Sequence, residues 1–186
     1  VSSFTSQTAS GGEPGVYTWA SLKSGTYLYH SGTHPAKQVQ MGLYGALIVT
    51  PATPGTAYTP SATNPNTAFT SEVVLLYSEI DPALHDPPAA AHPFKVSNTP
   101  GNVPPGYAPG YVPAYFLING KPYAAGDPAV PAGNVGENVL IRFLNAGLKT
   151  HVPTLLNAPY MSVIAEDGNL YPYAKSQYSV MLAAGK

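Results

Sequence analysis

Cysteine is absent from the 186 residues, so the chain forms no disulfide and has no thiolate nucleophile or cysteine-bound metal. Charge is also scarce, because Asp, Glu, Lys and Arg together make up 9% of the sequence and the formal net charge is −1. Proteins that bind nucleic acid through its phosphates need clustered lysine and arginine, and Arg142 is the one arginine here. The composition therefore excludes an electrostatic nucleic-acid binder.

Long hydrophobic runs are missing as well, and none approaches the roughly 20 residues of a membrane span. The 21 prolines and 18 glycines interrupt nearly every window, which argues against long helices. An apolar content of 44% is nevertheless sufficient to bury a core. These features predict a loop-rich, all-β globular protein. Low charge with abundant Ser, Thr, Tyr and Pro is typical of exported β proteins, so we expect a periplasmic or extracellular location.

Short β-prone segments bounded by turn residues predict strands in two series. The first series comprises residues 16–21, 26–30 and 43–50, and the last of these is apolar enough to predict burial on both faces. The second series comprises residues 72–78, 114–118, 121–123, 138–144, 160–165 and 177–182. Asn119-Gly120 is typical of a tight hairpin turn, because both central residues of a type I′ turn need positive φ.

Strands at this spacing, without helices between them, predict β-sandwiches. Residues 51–70 have no periodicity and are predicted to be a linker between a first domain, residues 1–50, and a second, residues 71–186. The second domain holds a proline-rich insert at residues 80–113, with one helical turn predicted at its start. The first domain is about half the usual length of roughly 100 residues, and the second is predicted to be truncated at its C-terminus.

Histidine is the scarce reactive side chain. His30 and His34 lie four residues apart in His-Ser-Gly-Thr-His at the end of a predicted strand, a spacing compatible with a shared metal ion. The alternative is structural: His30 caps a turn and His34 is exposed. His85, His92 and His151 are predicted to be loop or structural residues.

No catalytic residue emerges from spacing. No Ser, His and Asp order can be singled out as a triad. Glu166 and Asp167 are adjacent, so they lie on opposite faces of a strand or share a turn. We expect them to accept bonds from backbone amides rather than act as an acid–base pair.

Longer motifs resemble the cupredoxin domains of multicopper oxidases. In the first domain these are Gly-Thr-Tyr-Leu-Tyr-His-Ser at 25–31 and Gly-Leu-Tyr-Gly-Ala-Leu-Ile-Val at 42–49. In the second they are Phe-Leu-Ile-Asn-Gly-Lys-Pro at 116–122, Arg-Phe-Leu-Asn-Ala-Gly at 142–147 and Ser-Val-Ile-Ala-Glu-Asp-Gly at 162–168. The resemblance implies cupredoxin-like Greek-key β-sandwiches, the first incomplete. It also implies copper as cofactor and an oxidase that couples one-electron substrate oxidation to reduction of dioxygen to water.

The resemblance assigns residues one at a time. His30 matches the first histidine of a His-x-His pair that ligates a type 2/type 3 cluster, but the second histidine falls on Gly32, which cannot ligate. His34, two residues further on, is the substitute. Ser31 stands where copper-binding relatives have the type 1 cysteine, so a type 1 site is excluded. Met41, at an axial-ligand position in some relatives, is therefore predicted to be a core residue.

Two functional hypotheses remain open. In the first, the chain is part of a working oxidase whose sandwiches and copper cluster are completed by other segments or chains. In the second, it is a copper-free structural or assembly module completed by strands of another chain, since open sheet edges invite such pairing. The reducing substrate, a phenol or a metal ion, is not fixed by the sequence.

Overall fold

The computed structural model describes residues 8–32, 35–61, 66–85, 111–156 and 160–186. Its regular structure is almost all β. The strands are β1 Gly25–His30, β2 Tyr44–Val49, β3 Ser71–Ile80, β4 Tyr115–Ile118, β5 Lys121–Pro122, β6 Val139–Asn145, β7 Met161–Glu166 and β8 Asn169–Gln177. One helical turn, α1 Pro35–Gln38, precedes β2, and a 3-10 turn at Pro82–Leu84 follows β3 as predicted. Within these ranges no helix has the length and apolarity to cross a membrane.

The strands form three sheets. β1 and β2 pair antiparallel, and β7 and β8 form an antiparallel hairpin with an irregularity between Val163 and Ala165. The central sheet has four strands in the order β5-β4-β3-β6, in which β3 and β6 are parallel neighbours. Residues 1–50 therefore contribute two strands, β1 and β2, among the described residues.

The central sheet is packed on both faces. The β3–β6 register places even-numbered side chains of both strands on one face and odd-numbered ones on the other. On the even face, Tyr44 donates to Ser78 Oγ at 2.7 Å, and Arg142 bonds to β1. On the odd face, the rings of Tyr77 and His151 lie 5.1 Å apart. The β1–β2 hairpin and the segment around His151 thus cover opposite sides of one sheet.

Most predicted strands are confirmed, with two exceptions. Residues 16–21 are exposed and form no strand, because no described segment pairs with them. The predicted strand at 177–182 is also wrong, because β8 ends at Gln177 and the following residues make isolated bridges only at Ser179 and Leu182. Instead, the turn at Asp167 and Gly168 leads directly into β8, which forms a strand although it contains a proline.

Burial differs from expectation around β2. This strand is half-buried rather than buried on both faces, and Met41, predicted to be core, is 56% exposed. A two-stranded sheet covered on one side cannot bury both faces. Conversely, Ala57 and Thr67, in the predicted linker, are buried, and Thr56 forms an isolated bridge with Ala68.

Candidate functional site

His30 is the last residue of β1, paired with Tyr44 and exposed to solvent. Its Nδ1 lies 2.9 Å from the backbone carbonyl oxygen of Ser31, and the Ser31 amide donates to the Leu43 carbonyl at 2.9 Å. A carbonyl oxygen can only accept, so this bond places the proton of the neutral ring on Nδ1. Nε2 then carries the lone pair, which is the state in which imidazole binds a metal.

The surroundings of His30 do not complete a copper centre. Ser31 bonds through its hydroxyl to the Gln38 amide oxygen. His34 lies outside the described residues, so the pairing of His30 with His34 stays a prediction. No cluster of three or more His, Cys, Asp or Glu occurs in the part of the chain that the structure describes. Among the described residues, the structure therefore assembles no complete set of copper ligands around His30.

The other histidines have different surroundings. His85 is exposed, and its amide donates to the Pro82 carbonyl at 3.0 Å, closing the 3-10 turn. His92 lies outside the described residues. His151 is half-buried, and its Nε2 lies 2.7 Å from Glu79 Oε1. His151 is therefore structural, as expected.

The partner of His151 belongs to a buried polar network that the sequence did not reveal. Glu79 is 2% exposed and accepts hydrogen bonds from the Tyr111 hydroxyl at 2.8 Å and the Leu148 amide at 2.9 Å. Burial, and then the bond to Glu79, raise the pKa of Tyr111 far above its ordinary value. Gln40 donates to the Tyr111 hydroxyl at 2.9 Å and so joins the α1–β2 connection to the central sheet. The one feature of the sequence that could have indicated this network is Glu79, an acidic residue near the end of an apolar strand.

A second buried polar residue holds the C-terminal segment. The Asn145 side chain is fully buried and donates to the carbonyls of Lys149 at 2.7 Å and Ala183 at 2.9 Å. Its oxygen accepts the Gly147 amide at 2.9 Å. A Cβ added at Gly147 would overlap both carboxylate oxygens of Glu79. Both polar atoms of the Asn145 side chain thus have hydrogen-bond partners, which indicates a structural role.

Within the described ranges, the carboxylates of Glu166 and Asp167 bond side chains and not backbone amides, contrary to that expectation. Both carboxylates pair with the ammonium group of Lys186, and Tyr171 also donates to Glu166. The hydrogen bond from Lys186, followed by that from Tyr171, lowers the pKa of Glu166. A carboxylate stabilised in its charged form is a poor general acid, and the pair has no catalytic arrangement.

A cleft of about 1000 Å³ lies between β6, the β7–β8 hairpin and β1. Arg142 forms part of its wall, pairs with Glu72, and donates from Nη1 to Thr26 Oγ1 at 2.7 Å. Its Nη2 is buried and has no hydrogen-bond partner among the described residues. Burial raises the pKa of Tyr58, another lining residue, and the charge of Arg142 acts in the opposite direction.

The fold and these motifs define a cupredoxin-like β-sandwich protein. Neither a protein-family model nor a curated protein matches the sequence. Among solved structures, the chain is similar to the crystal structure of blue copper oxidase from Nitrosomonas europaea, with 25% identity and a TM-score of 0.59. The match covers 94% of this chain and 47% of that one, so the chain spans about half the length of its structural neighbour.

Proposed function

We propose that this chain is a part of a multicopper oxidase that couples one-electron substrate oxidation to reduction of dioxygen to water. In this function it supplies His30, with His34 as the second predicted ligand, to a type 2/type 3 copper site completed by residues outside this chain. The observation that carries the proposal is the ring of His30, held at Nδ1 by the Ser31 carbonyl on a fold similar to a blue copper oxidase.

Copper, when bound, would supply one-electron chemistry. The chain itself would orient the imidazole of His30, and it has no type 1 site. The sequence holds no cysteine, so the substrate-oxidising copper of the family cannot be ligated here. We therefore expect the isolated chain to consume no dioxygen with a phenol, with Mn(II) or with Fe(II). An oxygen electrode measures this directly, and steady turnover by the isolated chain would contradict the proposal.

Copper titration followed by electron paramagnetic resonance tests the ligand role of His30. Addition of Cu(II) to the chain should give a spectrum with nitrogen hyperfine structure, and His30→Ala should remove it. His85→Ala is the matched control, because His85 is also an exposed histidine and follows the 3-10 turn at Pro82–Leu84, away from β1. An unchanged spectrum in His30→Ala would overturn the ligand assignment. His34→Ala tests the predicted second ligand in the same way.

A second candidate function is a copper-free assembly module whose sandwiches are completed by another chain. It is favoured by the saturated polar networks around Glu79 and Asn145, which stabilise the fold without any metal. In that case the thermal unfolding midpoint is the same with excess EDTA and with Cu(II). A copper-dependent rise in the midpoint would argue against it, because a ligand that binds only the folded state stabilises that state.

We also propose export to the periplasm or outside the cell, supported by the low charge and the polar Ser, Thr, Tyr and Pro content. Fractionation of cells that produce the natural protein tests this location, and recovery in the cytosolic fraction would overturn it.

A further inference from the structure

The tight turn between β4 and β5 holds the one Asn-Gly pair of the sequence, Asn119-Gly120. An asparagine followed by glycine is prone to deamidate, because glycine has no side chain to hinder its backbone nitrogen and adapts readily to new backbone angles. The Gly120 nitrogen attacks Cγ of Asn119, ammonia leaves and a cyclic imide forms. Water then opens the imide to aspartate or isoaspartate. The net change is hydrolysis of a side-chain amide, so water is the only co-reactant.

Solvent reaches this turn. Asn119 and Gly120 are both exposed, and apart from the chain neighbours of Gly120 no described atom lies within 4 Å of the position that a Cβ at Gly120 would occupy. Their φ angles of 52° and 77° lie in the left-handed region that a type I′ turn needs at both central residues. Crowding therefore does not protect Asn119 from hydrolysis, and its hydrogen bonds decide how reactive it is.

The side chain of Asn119 is bonded at both polar atoms to the backbone of β3. Its oxygen accepts the Leu76 amide at 2.9 Å, and its nitrogen donates to the Val74 carbonyl at 2.8 Å. The backbone amide of Asn119 also donates to the Leu76 carbonyl at 2.9 Å. The register of β4 against β3 ends where Ile118 pairs with Tyr77. Asn119 thus continues the contact of β4 with β3 beyond the last paired residue.

These bonds oppose the ring closure. In the central sheet β4 lies between β3 and β5, so the chain leaves Asn119 toward β5, on the side of β4 away from β3. The Asn119 carboxamide is held on the opposite side, by β3. Its carbon reaches the Gly120 nitrogen only after the side chain has left Val74 and Leu76, which requires a local opening of the turn. The free energy of such an opening lowers the rate of any reaction that depends on it.

Conversion prevents the same bonds from forming again. The side chains of aspartate and isoaspartate have oxygens and no nitrogen, so they donate nothing to the Val74 carbonyl, and the charged carboxylate repels that oxygen. Isoaspartate also adds a methylene group to the main chain of a tight turn. After deamidation the end of the β4–β5 hairpin is therefore attached more weakly to β3.

We propose that Asn119 is a deamidation site, protected by β3 while the turn is closed and converted when the turn opens, and that the product loosens the β4–β5 hairpin from β3. Loss of ammonia makes the conversion irreversible in dilute solution, so converted molecules accumulate with the time that the turn spends open. The proposal involves neither His30 nor a metal, and it stands independently of the functions proposed above.

Peptide mapping by mass spectrometry measures the deamidation of the full chain during incubation in mildly alkaline buffer. The reference is a synthetic peptide of residues 116–123, which contains the same Asn-Gly pair without β3. We expect Asn119 in the folded chain to convert at least about tenfold more slowly than in the peptide, and urea that unfolds the chain should remove the difference. Equal rates in the folded chain and the peptide would overturn the protection by β3. No conversion in the peptide or in the unfolded chain would overturn the site itself.

Asn119→Asp tests the effect of the product on the hairpin. Its thermal unfolding midpoint at neutral pH should lie at least about 2 °C below that of the unaltered chain. Asn66→Asp is the matched control, because Asn66 is also exposed and its oxygen accepts the Ala68 amide at 3.0 Å, a bond that aspartate keeps. Equal midpoints for the two variants would refute the loosening of the hairpin. If Asn119→Asp does not fold, deamidated molecules separated from the unaltered chain by ion exchange take its place in the same measurement.

Discussion

Asn145→Ala is expected to be the most informative test of the buried networks. The side chain has no exposed surface, and its amide nitrogen lies 2.7, 3.2 and 2.9 Å from the carbonyls of Lys149, Leu182 and Ala183. The Leu182 carbonyl keeps the His151 amide as a donor at 3.0 Å, so truncation does not orphan it. The Gly147 amide, in contrast, is buried and loses its acceptor.

The expected loss of stability follows from this difference between the Leu182 carbonyl and the Gly147 amide. The unsatisfied Gly147 amide costs about 1–3 kcal/mol, and each of the two remaining lost bonds costs about 1 kcal/mol. The total of about 3–5 kcal/mol is a large part of a typical stability of about 5–15 kcal/mol. Urea unfolding followed by circular dichroism measures the loss as a lower midpoint at an unchanged slope.

Asn169→Ala is the matched control for this experiment. Asn169 is exposed and makes one bond, from its amide to the Asp167 carbonyl at 3.0 Å. Its truncation should cost less than about 1 kcal/mol, because water replaces the lost partner. If Asn145→Ala destabilises the chain no more than Asn169→Ala, the assignment of Asn145 as the anchor of the C-terminal segment is refuted.

Further predictions concern the Glu79 network and one surface carboxylate. Gly147→Ala should lower stability by about 2–4 kcal/mol, since its Cβ displaces the Glu79 carboxylate from its partners; a neutral effect in urea unfolding would contradict this packing. Tyr111→Phe removes the bonds to Glu79 and Gln40 and should cost about 1–2 kcal/mol, again measured in urea. The backbone amide of Asn134, with further hydrogen bonds, lowers the pKa of Glu137 to about 2. Its stabilising effect should be complete above the unfolded pKa and disappear as the pH falls from about 4.3 toward 2. An NMR titration that gives an ordinary pKa would refute this assignment.

The fold was predictable where local pattern determines it. β3 and β6 are apolar, β-branched runs ended by turn residues, and Asn119-Gly120 gives the turn before β5, with φ of 52° and 77°. β8 was missed because hairpin pairing, not its own composition, makes it a strand. Its sequence includes Pro172 and Lys175, which a local pattern places in a loop.

The polar networks were not predictable for a related reason. Glu79 and His151 are 72 residues apart in the chain, and Gln40 and Tyr111 are 71 apart. Nothing in the local sequence of either partner specifies the other, since side chains of distant strands meet only when the sheet is built. Arguments from the spacing of residues in a motif apply only over a few positions of the chain. They therefore identified the region of His30 and did not identify these distant pairs.

The difference between local and long-range contacts also determines how copper could be ligated. The orientation of His30 depends on its own strand and on the next carbonyl, so one chain of this length can present a single imidazole with Nε2 available. A copper cluster, however, needs several such ligands converging from distant segments, and the described residues form no group of three or more potential ligands around His30. A metal held by one or two imidazoles is bound much more weakly than one held by a full set, because each missing ligand is replaced by water. The copper titration therefore separates the two candidate functions by affinity as well as by spectrum: binding that is weak and lost in His30→Ala supports a shared cluster, whereas binding unaffected by that variant leaves the assembly function.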